Sequence, residues 1–353
     1  MPLAELALEN FRCIDRAELA LGSGTTLIRG PNASGKTSVL EGIYLLGRGR
    51  SFRTRNTERL IQHAKPSLHA IGRTEGALAQ PIRVTVMRKS PIAAEIAGVK
   101  VRSLAELAQA FPVQVIEPGI HRLVEEGSPR RRRWLDWAVF HVEPGFIDSW
   151  QRYNRVLKQR NAALRIGNAE TARAWDGELV RHGEAVTAAR EHLLGSLAPY
   201  WEDTVARLAD LPADLKYLSG WNQEIPLTEA LNASFARDRA RGMSQVGPHR
   251  ADVQIRIGGH AAREVVSRGQ QKLLAIAMVL AQLKMLRDAT ELKSTLLLDD
   301  PAAELDTQRL ARFVHEVKGL NCQLVLTSLE PSDEPFGPAD RVFHVEQGRV
   351  KRA

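Results

Sequence analysis

Cysteine is nearly absent: Cys13 and Cys322 are the only two in 353 residues. They lie far apart and lack the spacing of a metal-ligand set, which excludes a disulfide framework and points to a reducing compartment, the cytoplasm. Long hydrophobic runs are missing too. The longest apolar-rich stretch, residues 273–286, is interrupted by Gln282 and Lys284 and falls short of the ~20 apolar residues that a bilayer span needs, so no membrane association is expected. The opening Met1-Pro2-Leu3-Ala4-Glu5 has no basic segment leading into an apolar one, and no signal peptide is expected. Aromatic residues are scarce, at 5%, and form no ladder of the kind on which single-stranded bases stack. There is no internal repeat and no low-complexity tract.

What is present is the composition of a globular protein, 44% hydrophobic and 25% charged, with enough chain for two compact lobes. Thr25-Thr26-Leu27-Ile28-Arg29 reads as a buried strand, followed by a glycine-punctuated loop and an amphipathic helix over 38–46. Pro81-Ile82-Arg83-Val84-Thr85-Val86-Met87 alternates as half-buried antiparallel strands do, with neighbours around residues 69–71 and 96–99. Residues 128–211 turn helical, with breaks at Pro144-Gly145 and Gly167-Asn168. Residues 212–245 read as irregular. A strand at 253–257, a long helix from Gln270 and two apolar strands at 295–298 and 323–326 follow. The expected architecture is an α/β lobe built from residues 1–115 and 245–353, with an antiparallel β portion, and an inserted, mainly helical lobe at 116–244.

Three passages carry chemistry. Gly30-Pro31-Asn32-Ala33-Ser34-Gly35-Lys36-Thr37 fits the P-loop pattern. Its backbone N–H groups wrap phosphate oxygens, Lys36 reaches the β- and γ-phosphates, the Thr37 hydroxyl meets Mg²⁺, and Ser38 opens the helix whose dipole faces the anion. Leu296-Leu297-Leu298-Asp299-Asp300 ends a core strand in two carboxylates. Asp299 is expected to orient the metal, and Asp300 to polarise the attacking water where many ABC ATPases carry Glu, so that hydrolysis is slow. Ser267-Arg268-Gly269-Gln270 opens the long helix as a second anion site.

In chain order the P-loop, the Ser267 passage and the strand-end carboxylates resemble the ABC class of P-loop ATPase heads. The resemblance implies ATP and Mg²⁺ as cofactors, Lys36 and Asp300 as catalytic residues, and Ser267–Gln270 as a signature that meets nucleotide held by a second copy. It also makes residues 302–306 a D-loop and Gln114 a candidate Q-loop glutamine.

Further passages resemble the RecF family more specifically: Asn10-Phe11-Arg12, Lys36-Thr37-Ser38-Val39-Leu40-Glu41, Gly49-Arg50-Ser51-Phe52-Arg53, Gly127-Ser128-Pro129 with four arginines and Trp134-Leu135-Asp136, Leu157-Lys158-Gln159-Arg160-Asn161, and Gly247-Pro248-His249-Arg250-Ala251-Asp252. The resemblance implies a weak, DNA-stimulated ATPase of recombinational repair and replication. Such a protein forms an ATP-dependent homodimer on double-stranded or gapped DNA and assists RecA loading with RecO and RecR. Three positions depart from the pattern. Ala33 stands where that family has glycine, Pro301 follows the two aspartates, and Thr327-Ser328 replaces the switch histidine of many ABC proteins.

Net charge is +8, and it is concentrated. Residues 48–59 carry five Arg and one Glu, and residues 121–165 carry ten Lys+Arg against five Asp+Glu. Arg50, Arg53, Arg55, Arg130, Arg131, Arg132 and Arg133 are therefore candidates for a phosphate-backbone track, against the plainer reading of surface ion pairs. His249 has no second metal ligand at a suitable spacing and reads as a turn histidine or one near the nucleotide. Two other functions fit the P-loop: a transporter-type ABC subunit, and a DNA clamp that binds ATP with negligible turnover.

Overall fold

The computed structural model describes the chain except residues 77–78, 291, 302–304 and 330–334; most of the D-loop segment thus lies outside the described residues. The chain forms two units, Met1–Ile120 with Leu286–Ala353, and His121–Met285.

The first unit holds two six-stranded sheets. One is antiparallel, in the order Ile14–Ala20, Leu3–Phe11, Ser67–Thr74, Pro81–Met87, Ala93–Ile96, Val99–Lys100. The alternation legible in residues 81–87 is the alternation of burial along Pro81–Met87. The other sheet runs Arg349–Arg352, Arg341–Glu346, Thr25–Arg29, Gln323–Ser328, Thr295–Leu298, Val113–Ile116. It is parallel except for its terminal hairpin, and its central strands are buried on both faces, hence their unbroken apolar runs.

The helix Lys36–Arg48 lies between the sheets. Every residue of it except Thr37 is buried, which corrects the expectation of an amphipathic helix with a wet face: both of its sides join one core with the two sheets, Leu40 and Leu45 beside Leu8, Leu68, Leu297 and Val325. Such close approach needs small residues. A Cβ on Gly47 would stand 2.5 Å from the Phe111 carbonyl oxygen.

In the second unit, helices Ser128–Val142, Phe146–Arg165, Ala169–Ala174 and Asp176–Leu208 are separated at the expected breaks. Gly145 and Gly167 take φ of 77° and 76°, and Asn168 caps the next helix by accepting from Thr171 N at 2.9 Å. The stretch read as irregular is ordered: it contains the strand Ala213–Leu218 and the helix Leu227–Arg241. The helix was legible in the spacing of its buried residues Leu227, Ala230, Leu231, Ser234, Phe235 and Asp238. The strand was not, because its partner Asp252–Ile257 lies far along the chain.

The same pairing moves the second lobe boundary from 245 to Leu286. Asp252–Ile257 adds to Ala213–Leu218, and the helix Arg268–Ala289 is fastened by Trp134 Nε1 donating to Met278 O (3.2 Å) and Gln282 Nε2 donating to Trp134 O (2.9 Å). Residues 245–285 therefore belong with the helical insertion. Among the described residues no helix is long and apolar enough to cross a membrane.

Candidate functional site

The buried strand Thr25–Arg29 delivers the chain into the loop 30–37, which turns through positive φ at Gly30 (153°), Ala33 (61°) and Gly35 (118°). Gly30 is required by space as well as by φ, since a Cβ there would meet Val345 O at 2.1 Å. Lys36 folds over the loop and donates to Gly30 O (2.7 Å) and Pro31 O (3.1 Å). Ser34 Oγ is buried and has no hydrogen-bond partner among the described residues.

Ala33 holds a left-handed conformation that costs an L-residue ~1–2 kcal/mol, where the family pattern has glycine. Ala33→Gly removes that strain but adds entropy to the unfolded chain, so a net gain of about 0.5–1 kcal/mol is expected. Urea unfolding checks it, and an unchanged or lower stability would show that the loop is relaxed as it stands.

Strand Thr295–Leu298 is parallel to Gln323–Ser328, so both strands end on the same side as the loop. There Thr37 Oγ1 lies 2.9 and 3.1 Å from the two Asp299 oxygens, and Thr327 Oγ1 donates to Asp299 Oδ1 at 3.0 Å. The same Thr327 oxygen accepts from Asp300 N at 2.9 Å. Thr327, which stands near the expected switch histidine, thus ties the two aspartates together. Sequence reasoning had given it no part.

Asp299 forms no ion pair among the described residues, and burial raises its pKa above the ordinary 3.8, against the lowering effect of the Thr37 and Thr327 hydroxyls. A raised carboxyl contributes stability that is fully present below 3.8 and is lost as pH rises through the raised value. Asp299→Asn is accordingly expected to have a higher urea midpoint than the parent at pH 7, with the gain fading as pH falls toward 3.8. A variant less stable at pH 7 would show instead that the hydroxyl bonds outweigh burial.

Behind the loop, fully buried Glu41 accepts from Arg12 Nε and Nη2, both at 2.9 Å, and from Ser51 Oγ, with Arg53 Nη1 at 3.9 Å. Three separated passages quoted above for their resemblance thus converge on one carboxylate. Arg53, half exposed, stands against this helix and its charge acts on Asp299. Arg50 Nε donates to Arg48 O at 3.4 Å, and Arg55 is exposed. Gln114 is buried within the strand Val113–Ile116.

Ser267 and the start of the helix it opens lie in the second unit. Ser267 Oγ accepts from Gln270 N (3.3 Å) while Gln270 Oε1 accepts from Ser267 N (2.9 Å), a reciprocal cap. Ser267, Arg268 and Gly269 are exposed, and Arg268 Nη2 lies 3.1 Å from His121 Nε2.

The arginine run divides. Arg131 is buried and cannot line a DNA track: its Nε and Nη2 pair with Asp252 at 2.8 and 2.9 Å, and its Nη1 donates to the carbonyls of Leu123, Val124 and Glu126. Arg132 is held by Ser128 Oγ (2.6 Å) and Ala251 O (2.5 Å). Arg130 pairs with Glu126, and exposed Arg133 donates to Pro129 O at 2.9 Å. His249 is a turn histidine, in the short turn Pro248–Arg250.

Residues 2–351 match the family described as RecF/RecN/SMC N terminal domain. The DNA replication and repair protein RecF of Shewanella amazonensis is 40% identical over 99% of this chain and 99% of its own length. That of Vibrio vulnificus is 37% identical over 100% of both. Among solved structures, the recombination mediator protein RecF-ATP in the RecFOR pathway matches with a TM-score of 0.89 at 27% identity, covering 100% of this chain and 97% of that one. The Smc head bound to the C-winged helix domain of ScpA, at a TM-score of 0.58 and 16% identity over 100% of this chain and 97% of its own, shares the fold. The strand-loop-helix that presents Thr37 to Asp299 is therefore seated in a chain similar to these proteins from end to end, and the chain belongs to the RecF family of DNA replication and repair proteins.

Proposed function

We propose that this protein is an ATP-dependent DNA-binding ATPase of recombinational repair, and that ATP closes two copies on double-stranded or gapped DNA. The observation that carries the reading is the Thr37–Asp299 hydrogen bond at 2.9 Å, which joins residues 262 apart in sequence. It brings a P-loop hydroxyl and a strand-end carboxylate to the distance at which one cation is shared between them.

The donor set fits Mg²⁺: two hard oxygens, one of them on a buried carboxylate without an ion pair among the described residues. When bound, the ion neutralises charge on the β- and γ-phosphates. The chain's own residues do the rest. Loop N–H groups from Gly30 to Ser38, with Pro31, Asn32, Ala33, Ser34 and Gly35 shaping the turn, cradle the phosphates. Lys36 exchanges two carbonyl partners for phosphate oxygens, and Asp300 accepts from the attacking water. Ser267, Arg268, Gly269 and Gln270 present an exposed helix start to the nucleotide of the second copy.

Relatives named for the RecFOR pathway support RecO and RecR as partners; the proposal adds that the protein assists RecA loading with them and acts at the nucleoid in the cytoplasm. Membership of this family speaks against the transporter reading. The clamp with negligible turnover keeps one observation in its favour, an Asp at position 300 where many ABC ATPases carry the longer Glu.

Light scattering tests the mechanism. Mass is expected to double with Mg-ATP, and Lys36→Arg and Ser267→Arg are each expected to abolish the doubling. A monomer under every condition despite measured ATP binding would sink it.

A further inference from the structure

Two of the passages that resemble the RecF family, residues 157–161 and 247–252, have no place in the nucleotide site. In the second unit they meet. Arg160, fully buried, donates to Asp176 Oδ1 (2.7 Å), Asp238 Oδ2 (2.8 Å) and Ser244 Oγ (2.7 Å). Asn161 Oδ1 accepts from Ser244 N and Oγ, each at 2.8 Å. His249 Nε2 is 3.0 Å from Ser244 O, and Nδ1 is 2.7 Å from Tyr153 Oη. A carbonyl only accepts, so Nε2 carries the proton and Nδ1 accepts from the tyrosine. Burial holds this ring neutral, its pKa lowered to about 4. The bonds to Ser244 and His249 fix the loop 242–250 from beneath, and those to Asp176 and Asp238 hold Arg160 in place.

Outside, the loop carries positive charge without a counter-charge. Gln245 Oε1 accepts from Arg241 Nη1 (2.9 Å) and from Arg250 Nη2 (3.2 Å). Gln245 is itself pinned, its N donating to Asp238 Oδ1 at 2.9 Å and its Nε2 to Met243 O at 3.0 Å. Both arginines are exposed, and neither makes an ion pair among the described residues. Exposed Arg165 runs alongside, its Cγ 3.0 Å from where a Cβ on Gly242 would stand. Basic residues at helix C-termini relieve the helix dipole, which accounts for Arg165 and Arg241, the last residues of their helices. It does not account for Arg250. Two guanidiniums drawn onto one neutral oxygen repel each other, and the repulsion is relieved when an anion takes that place.

We infer that the loop 242–250 is a contact for the phosphate backbone of duplex DNA, with Arg241 and Arg250 gripping phosphate and Arg165 beside them. The inference rests on the proposed DNA function and gives it a place in the fold. Guanidinium forks match phosphate oxygens in pairs, and a site without stacking aromatics reads backbone rather than bases. The rigid bed beneath lowers the ordering cost of binding.

Anisotropy of a labelled duplex in Mg-ATP tests it, with the wild-type chain, Arg241→Gln/Arg250→Gln, and Arg241→Lys/Arg250→Lys. The glutamine pair is expected to bind roughly tenfold more weakly, and its plot of log Kd against log salt to be shallower by about two, ~0.9 for each phosphate no longer neutralised. The lysine pair is expected to keep the slope and lose part of the affinity. ATP-dependent mass doubling and DNA-free phosphate release should match the wild type in both. A glutamine pair with wild-type affinity and slope overturns this inference and leaves the proposed function standing. A wild-type chain that binds no duplex overturns both.

Discussion

Asp300→Asn is expected to lower steady-state phosphate release by about 10²–10⁴-fold, the range for removing a positioned general base, while mass doubling in Mg-ATP persists. The substitution keeps shape but removes the charge and, with it, the ability to take up a proton. The geometry supports so clean a separation. Asp300 is seated through its backbone, its N–H donating to Thr327 Oγ1 at 2.9 Å with φ at 46°, and an Asn retains that bond. The hydrogen of the same hydroxyl goes to Asp299 Oδ1, so that bond is also kept, and Asp299 loses only the like charge of its neighbour. Dimers of the variant should return to monomer more slowly than wild type once free ATP is removed. A variant within threefold of the wild-type rate would show that Asp300 is not the acceptor. A wild-type chain with no measurable turnover would favour the clamp.

Arg160→Ala is expected to destabilise the second unit by about 3–5 kcal/mol, the cost of leaving a buried charge without its partner. Asp238 is the reason: it is 0% exposed, and Arg160 is its ion-pair partner among the described residues. Unfolding of two units need not be a single step, but all six tryptophans, at 134, 137, 150, 175, 201 and 221, fall within His121–Met285. Tryptophan fluorescence in urea therefore follows that unit by itself. Adding Asp238→Asn to Arg160→Ala should recover part of the loss, because the stranded charge goes with it. A loss below about 1 kcal/mol for Arg160→Ala, within the range of an exposed ion pair, would mean that the network under the loop 242–250 is not what holds it.

The candidate nucleotide site was legible because its parts are contiguous. A phosphate cradle is made from eight successive residues between a strand and a helix, and strand-end carboxylates directly follow an apolar run. Gly30 through Thr37 and Leu296 through Asp300 could therefore be read in place, and the structure brings Thr37 and Asp299 together. The alternation of Pro81–Met87 and the breaks at Gly145 and Gly167 were legible for the same reason, since backbone geometry and one-sided burial are written in neighbouring residues.

The arginines show where such reading stops. Arg130 to Arg133 are alike in sequence, yet Arg131 is a buried staple to Asp252, 121 residues away, while Arg133 is exposed. Arg241 and Arg250, outside the two basic stretches read from the sequence, share one amide oxygen because the loop that carries His249 folds back over Arg160. Thr327 gained its part from a parallel neighbour, the helix after the P-loop lost its expected wet face to a second sheet, and residues 245–285 joined the helical unit through a strand pairing. By itself, then, the sequence determined most of the elements, the P-loop pattern and the family. Only the tertiary structure decided which charges are paired with one another and which stay exposed, because a long cationic side chain takes its role from the acceptor it meets, and that acceptor is set by packing between distant segments.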